Sequence, residues 1–533
     1  MKVSLSLIAA ATLVAACSKP VESPPATAAA PAAAHPDVAG IAWKHAASDA
    51  DVDAAFAQAK AENKPVFVYW GAKWCPPCNQ VKATLFNRVD FIERSRAFVP
   101  VYIDGDSPGA QKLGTRFAVR GYPTMVLFNA DGAELTRLPG EVDAAQYTQV
   151  LTLGMNAQRP VKAVLAEARR GGAGLTPNDW KLLAFYSWET DEQRVVPKDQ
   201  TAVVLEELAA TCPTDQPDAA TRLLLKSVAA RSEKSAEKGA EKGGHDAAAR
   251  DRVLAVLADP DASRIHMDVL TNYAADIAAV LTAAGTPERR RLVDAFEVSL
   301  KRLEADSTLS RADRLTALLA RVELAKAEPS AGGKVEPVLP EALRAEVRQH
   351  AARADREITD GYERQAVITA AAYMLRQAGL LDDSDALLTA NLAKSHSPYY
   401  LMSALASNAK QRGDVEAALR WSQQAFDTSE GPATRLQWGA AYVNTLVDLA
   451  PQDEARIERA AQQLFDEAAA QPNAFYERSA RSLQRVGSKL LAWNQGKKHA
   501  AVLQRLQGRL DGVCGQLPAD DVQRSVCEGL LKA

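Results

Sequence analysis

A chain of 533 residues is too long for one compact core, so two or more domains are expected. Its formal net charge of −3, with no large basic region, argues against nucleic acid as the main partner. Hydrophobic residues reach 47% while aromatics make up only 6%, reflecting heavy use of alanine, which favours helices over sheets.

At the N-terminus Lys2 is followed by an apolar run from Val3 to Ala16, which is too short to span a membrane and reads as the core of an export signal. Its end, Val14-Ala15-Ala16-Cys17, resembles a bacterial lipoprotein signal. That resemblance implies a signal over residues 1–17 with Cys17 as the lipidation site; the alternative is an ordinary secretory signal with a chance cysteine. Either way the protein is exported and its thiols meet an oxidising compartment. Residues 18–40 are rich in Pro and Ala without apolar periodicity, the composition of a semi-rigid tether rising about 3.1 Å per residue when extended. Ser18 stands where many inner-membrane lipoproteins carry aspartate. The expected location is therefore the periplasmic face of a bacterial membrane, lipid-anchored, with the outer membrane favoured.

Next comes a surface helix from Ala50 to Lys64, with Val52, Ala55, Phe56 and Ala59 at helical spacing and Asp49 or Asp51 available as a cap. The β-prone run Val66 to Trp70 leads into Trp74-Cys75-Pro76-Pro77-Cys78, and helix-forming sequence follows from Asn79 to Leu85. The two cysteines thus fall at a strand-to-helix turn. There, unpaired N–H groups and the helix dipole favour a thiolate on Cys75, the expected nucleophile, with Cys78 as the resolving thiol. Prolines suit this first helical turn, which does not need their missing N–H. Further on, Phe98 to Ile103 reads as a strand and Gln111 to Ala118 as a short helix. Thr124 to Phe128 and Glu134 to Leu138 make a hairpin across Asn129-Ala130-Asp131-Gly132, and a last helix runs from Asp143 to Met155.

This order, β-α-β-α-β-β-α with an extra leading helix, together with the WCPPC motif and Gly121-Tyr122-Pro123-Thr124, is similar to the thioredoxin fold over residues 41–156. Its details resemble the thioredoxin-like group that includes the C-terminal periplasmic domain of the thiol transporter DsbD. Residues like Lys64-Pro65-Val66 lead the strand in that group too, and a segment like Thr84-Leu85-Phe86 follows the cysteines. The resemblance implies a redox-active Cys75–Cys78 disulfide, Trp74 at the lip of the site, and Tyr122 and Pro123 in substrate binding, with Pro123 in cis. It also implies a protein-disulfide oxidoreductase that needs no cofactor or metal. One departure stands out: many thioredoxins carry a buried aspartate six residues before the first cysteine, where this chain has Tyr69, and Pro100 lies near the place of the partner lysine.

Two other readings compete for the cysteine pair. Zinc needs four ligands, and the seven histidines, His45 and His245 among them, supply no second ligand pair. A merely structural disulfide leaves Trp74 and Tyr122-Pro123 unexplained. Redox chemistry is the preferred reading.

Beyond Arg159 strand signals vanish, so the fold class is an α/β thioredoxin domain followed by a large all-α region, either helical repeat or bundle. Helices are predicted at Val161 to Arg170, Asp179 to Ser187, Thr201 to Ala210 and Ala219 to Ala230 within a region spanning 157–328. A Lys/Glu/Gly-rich insert at 232–245 has the composition of a solvated loop, and the Pro- and Gly-rich stretch from Glu328 to Pro340 is expected to separate one helical subdomain from the next. Within 341–533, Gly413 and the following Ala418, Trp421, Ala425 and Phe426 resemble the centre of a tetratricopeptide repeat. Gly379 lies one 34-residue period earlier. Stacked repeats would form a concave groove for protein partners; the alternative is a generic bundle. Cys514 and Cys527 are candidates for a structural disulfide. Cys212 is left over: buried and inert, paired with a partner, or exchanging with Cys75.

Two functions follow as expectations. One is a membrane-tethered periplasmic thiol-disulfide oxidoreductase acting on envelope proteins, with an unidentified partner recycling its cysteines. Pro76 and Pro77 remove two donors from the Cys75 thiolate, which points to a reductant. The other is an envelope scaffold or chaperone whose helical domain binds partners and whose thioredoxin domain serves recognition.

Overall fold

The computed structural model describes residues 40–119, 121–140, 143–191, 194–238, 246–328 and 339–532. Cys17, residues 1–39 of the expected signal and tether, and 239–245 and 329–338 of the expected breaks lie outside them.

The N-terminal domain alternates strands and helices: β1 Lys44–His45, α1 Asp49–Glu62, β2 Val66–Gly71, α2 Pro76–Val81, α3 Val89–Ser95, β3 Val99–Asp104, α4 Ala110–Phe117, β4 Thr124–Phe128, β5 Glu134–Leu138 and α5 Ala144–Met155. The sheet order is β1-β3-β2-β4-β5, with β1 and β2 parallel to β3, and β4 antiparallel to both β2 and β5. β1 had no strand signature in the sequence, being two exposed residues held by pairing with Val101 and Tyr102. The cap of α1 is Ser48 rather than Asp49 or Asp51; Asp51 instead reaches back to the Ser48 hydroxyl, 2.8 Å away.

All six residues of β2 are buried, as expected for a central strand covered on both faces. Val66, Val68 and Trp70 face α1 and α4, packing with Val52, Ala55 and Phe117. Phe67 and Tyr69 face the other way, toward Phe86, Phe91, Tyr147 and Leu151.

The remainder is helical. A first set comprises α6 Val161–Ala168, α7 Pro177–Ala184, α8 Thr201–Thr211, α9 Pro217–Lys238, α10 Ala247–Ala258, α11 Pro260–Ile265, α12 Met267–Asn272, α13 Ala274–Leu281, α14 Pro287–Ala305 and α15 Arg311–Ala327. A second comprises α16 Glu341–Glu357, α17 Gly361–Gln377, α18 Leu381–Asn391, α19 Pro398–Arg412, α20 Val415–Thr428, α21 Pro432–Leu449, α22 Glu454–Ala469, α23 Glu477–Trp493, α24 Ala500–Cys514 and α25 Val522–Gly529. α9 continues to Lys238, so the expected loop at 232–245 begins as helix. Its Glu and Lys residues are good helix formers, and their charge does not preclude helix.

The hydrophobic cores do not respect the expected divisions. Val164, Trp180, Leu183 and Leu205 continue the core beneath Phe67 and Tyr69, so α6 to α8 extend the thioredoxin-like core beyond residue 156. Likewise Leu315, Leu318 and Val322 of α15 share one core with Leu343 and Val347 of α16, across the Pro- and Gly-rich stretch expected to separate them. Composition marks a connection but not which faces meet across it. Buried charges reinforce the joint. Arg137 on β5 is fully buried, pairs with Glu134, and donates to the carbonyls of Phe117 at 2.9 Å and Thr190 at 2.6 Å. Gly379 and Gly413, with φ of +72° and +77°, occupy the left-handed turns after α17 and α19 that glycine favours.

Candidate active site

Cys75 is the N-cap of α2. Its Sγ accepts the Cys78 backbone N–H at 3.3 Å, and the two prolines occupy the first helical positions. The Cys75 thiol lies 3.4 Å from the Tyr122 carbonyl oxygen, to which it donates, and the Tyr122–Pro123 bond is cis. This brings Trp74, Cys75, Cys78, Tyr122 and Pro123 into one site. Asn79 holds the turn from behind, donating to the carbonyls of Lys73 at 2.9 Å and Cys75 at 2.8 Å.

Both thiols are buried, with Cys75 only 2% exposed and Cys78 0%. Burial pushes the Cys75 thiol well above its ordinary value, and the neighbouring Cys78 thiol pushes it the same way. The helix N-terminus alone predicts a thiolate; here desolvation outweighs it. Around Cys78 the ring of Tyr69 stacks on Tyr102 at 5.2 Å, and a cation arrives from Lys82 on the same helical segment instead of from the neighbouring strand. Lys82 sits over the rings of both Tyr102, at 5.7 Å, and Tyr362 on α17, at 5.3 Å.

The cover over the site is built by the helical region. Trp74 stacks on Tyr400 at 5.8 Å and tilts against Trp438 at 5.2 Å. Its indole Nε1 donates to Thr434 Oγ1 at 2.8 Å. Thr434 in turn donates to Asp106, from its backbone N to Oδ1 at 2.8 Å and from Oγ1 to Oδ2 at 2.6 Å. Asp106 therefore caps α21 from the far side, since the helix's own N-cap, Gly431, has no side chain. Gly431 adopts φ +94°, and a Cβ there would sit 2.4 Å from the Asp106 carboxyl carbon. Burial and the neighbouring Asp104 raise the Asp106 pKa to about 7 against the pull of the Thr434 bonds.

Further bonds surround the motif. Gln365 donates to the Trp74 carbonyl at 3.4 Å, His396 Nε2 lies 3.1 Å from the Lys73 carbonyl, and Gln80 donates to Asp313 at 2.9 Å. The Arg478 guanidinium lies over the rings of Trp74 and Tyr122, at 5.3 and 5.1 Å, and is held by Gln437 at 2.7 Å. None of these partners carries a local sequence signal, because each pairs with the motif across hundreds of residues.

The other cysteines lie elsewhere. Cys514 and Cys527 are joined by a disulfide with Cα atoms 5.6 Å apart, linking α24 to α25. Cys212 sits at the end of α8 in the core beneath Tyr69, and burial raises its pKa to about 11, which leaves it inert. Among the described residues no helix is long and apolar enough to cross a membrane.

A family model for a thioredoxin-like domain matches residues 52–154. Over 114 residues the chain is 32% identical to the thiol:disulfide interchange protein DsbD of Klebsiella pneumoniae, a match covering 21% of this chain and 19% of that protein. The thiol:disulfide interchange protein DsbD 1 of Pseudomonas aeruginosa is 29% identical over 113 residues, covering 20% of this chain and 19% of its own length. That of Yersinia pestis is 32% identical over 98 residues, covering 17% and 16%. The chain thus spans less than a fifth of the length of these curated relatives. Fold, site geometry and comparisons agree that the chain carries a thioredoxin-like domain, matched over residues 52–154, followed by a large all-α region, and that this domain is similar to part of thiol:disulfide interchange proteins of the DsbD type.

Proposed function

We propose that this protein is a thiol-disulfide oxidoreductase acting on protein disulfides through Cys75 and Cys78, working as a reductant at the periplasmic face of a bacterial membrane. The supporting observation is Cys75 at the N-cap of α2, its sulfur facing the Tyr122 carbonyl and accepting the Cys78 N–H. Deprotonated Cys75 attacks one sulfur of a substrate disulfide. The substrate S–S bond breaks, a mixed disulfide forms, and the other substrate sulfur leaves as a thiolate that takes up a proton. Cys78 then attacks the Cys75 sulfur, releasing the second substrate thiol and leaving a Cys75–Cys78 disulfide. The substrate gains two electrons, and a dithiol donor restores the pair. Export, lipidation at Cys17 and the tether over residues 18–40 belong to this reading and rest on the N-terminal sequence. The test is reduction of a model protein disulfide by the reduced protein: Cys75→Ser should abolish it, and wild-type activity in that variant overturns the proposal.

A scaffold or chaperone reading draws its support from a cavity of about 700 Å³ that the helical region forms beside the motif. If binding is the main task, partners captured by the wild type are retained when Cys75 and Cys78 are both replaced. If redox chemistry is the task, Cys78→Ala traps partners as disulfides and the double variant loses them.

A further inference from the structure

The roughly 700 Å³ cavity is an open groove walled mainly by α17, α19, α21 and α23, with Leu319 of α15 and Ser384 of α18 also lining it, and bordered by Trp74, Pro76 and Pro77. Small residues such as Ala370, Ala404, Ser407 and Ala441 line it. Three arginines line it, Arg376, Arg478 and Arg485, and no carboxylate does. None of the three forms an ion pair among the described residues. Arg485 is solvent-exposed at the rim, and partial desolvation with repulsion from Arg478 and Arg481 lowers its pKa, the sign of cations lacking a counter-charge. Tyr373 stays 38% exposed on the wall, and Asn444 Oδ1 is buried without a hydrogen-bond partner.

We propose that this groove seats an extended peptide segment carrying carboxylates beside its cysteine, delivering that cysteine to the WCPPC end. The proposal rests on the redox reading above and names the substrate class for it. The carboxylates supply the charge that the arginines lack, aromatic or aliphatic side chains pack on Tyr373, Tyr400 and Trp438, and a backbone N–H satisfies Asn444. The helical region is then the element that selects substrates, with the thioredoxin-like domain as the reacting wall.

The test uses the full chain with Cys75→Ser and Cys78→Ser, so that binding is read apart from chemistry. Fluorescence anisotropy compares a labelled glutamate-rich peptide of about ten residues with its glutamine counterpart at low and high salt. The glutamate peptide should bind at least about tenfold tighter at low salt. Arg376→Gln with Arg485→Gln should erase that preference, and Arg376→Lys with Arg485→Lys should restore much of it. A thermal melt checks that each variant is folded. Equal affinity for the two peptides, or a preference surviving in the glutamine variant, overturns the proposal. The same peptides as mixed disulfides, offered to the wild type, separate the two readings. Reduction without preference removes the groove and leaves the redox assignment, whereas preference without reduction removes the redox assignment and leaves the groove.

Discussion

Trp74 and Thr434 stand 360 positions apart in the chain, yet the indole Nε1 of one donates to the hydroxyl of the other at 2.8 Å, directly beside the candidate nucleophile. The same threonine is tied to Asp106 by two bonds. The three residues make a latch that holds the helical cover on the cysteines, and with it closed Cys75 is 2% exposed. Thr434→Val keeps the shape and the backbone N–H bond to Asp106, and removes the two bonds of the hydroxyl, the one it accepts from Trp74 and the one it donates to Asp106. A lost buried hydrogen bond costs about 1–3 kcal/mol when its partner is left unsatisfied. Alkylation of Cys75 by iodoacetamide, followed by mass spectrometry, is expected to run several-fold faster in this variant. An unchanged rate would mean that the latch does not govern access.

Asp106 gives the latch a pH dependence of definite sign. Its folded pKa of about 7 stands above the unfolded value of 3.8, so the folded chain holds a proton that the unfolded chain releases. The stability contributed by this group is full at pH values below 3.8 and is lost as pH rises through about 7. Roughly three pH units of linkage correspond to an upper bound on the order of 4 kcal/mol. Urea unfolding at pH 5 to 8 should show the wild type losing stability relative to Asp106→Asn as pH rises. Parallel profiles for the two proteins would refute the shift.

How much of this was legible in the sequence follows from the range of the interactions. β4 and β5 fall where alternation and the Asn-Ala-Asp-Gly turn place them, because a hairpin is specified by residues close in sequence. Cys75, Cys78, Tyr122 and Pro123 could be named from two short motifs. By contrast, Asp106 lies in a loop with no motif, and its role exists only because Gly431 lets α21 approach. Tyr400, Trp438 and Arg478 read as ordinary helical residues until the helices are stacked. The shared cores were hidden for the same reason: periodicity shows that α6 and α15 have an apolar face but not what that face meets.

The Cys514–Cys527 disulfide closes a loop with a sequence separation of 13 residues, and both cysteines are buried in the core that also contains Trp74 and Trp438. Loop-closure entropy assigns such a link about 2–4 kcal/mol. Replacing both cysteines with alanine should lower the urea midpoint accordingly. Because α24 packs chiefly on α22 and α25, the alkylation rate of Cys75 measured under native conditions should stay within about twofold of wild type. A large rise would mean that the link stiffens the cover as well as its own hairpin.

Tyr69 takes the place where many thioredoxins carry an acid, and its side chain lies beside Phe86 and within electrostatic reach of Cys78. It is 2% exposed, packs edge-on to Phe86 at 4.9 Å and stacks on Tyr102. Its hydroxyl has no partner of standard hydrogen-bond geometry and acts on Cys78. In Tyr69→Phe the ring packing is retained while a poorly satisfied buried hydroxyl is removed, so stability should hold or rise by about 1 kcal/mol. Resolution is expected to move the other way. If the hydroxyl helps Cys78 lose its proton, the mixed disulfide on Cys75 persists several-fold longer in the variant, as read by acid quench and mass spectrometry during a single turnover. A lifetime equal to that of the wild type would leave Tyr69 as a packing residue and assign proton removal from Cys78 to the Lys82 side of the site.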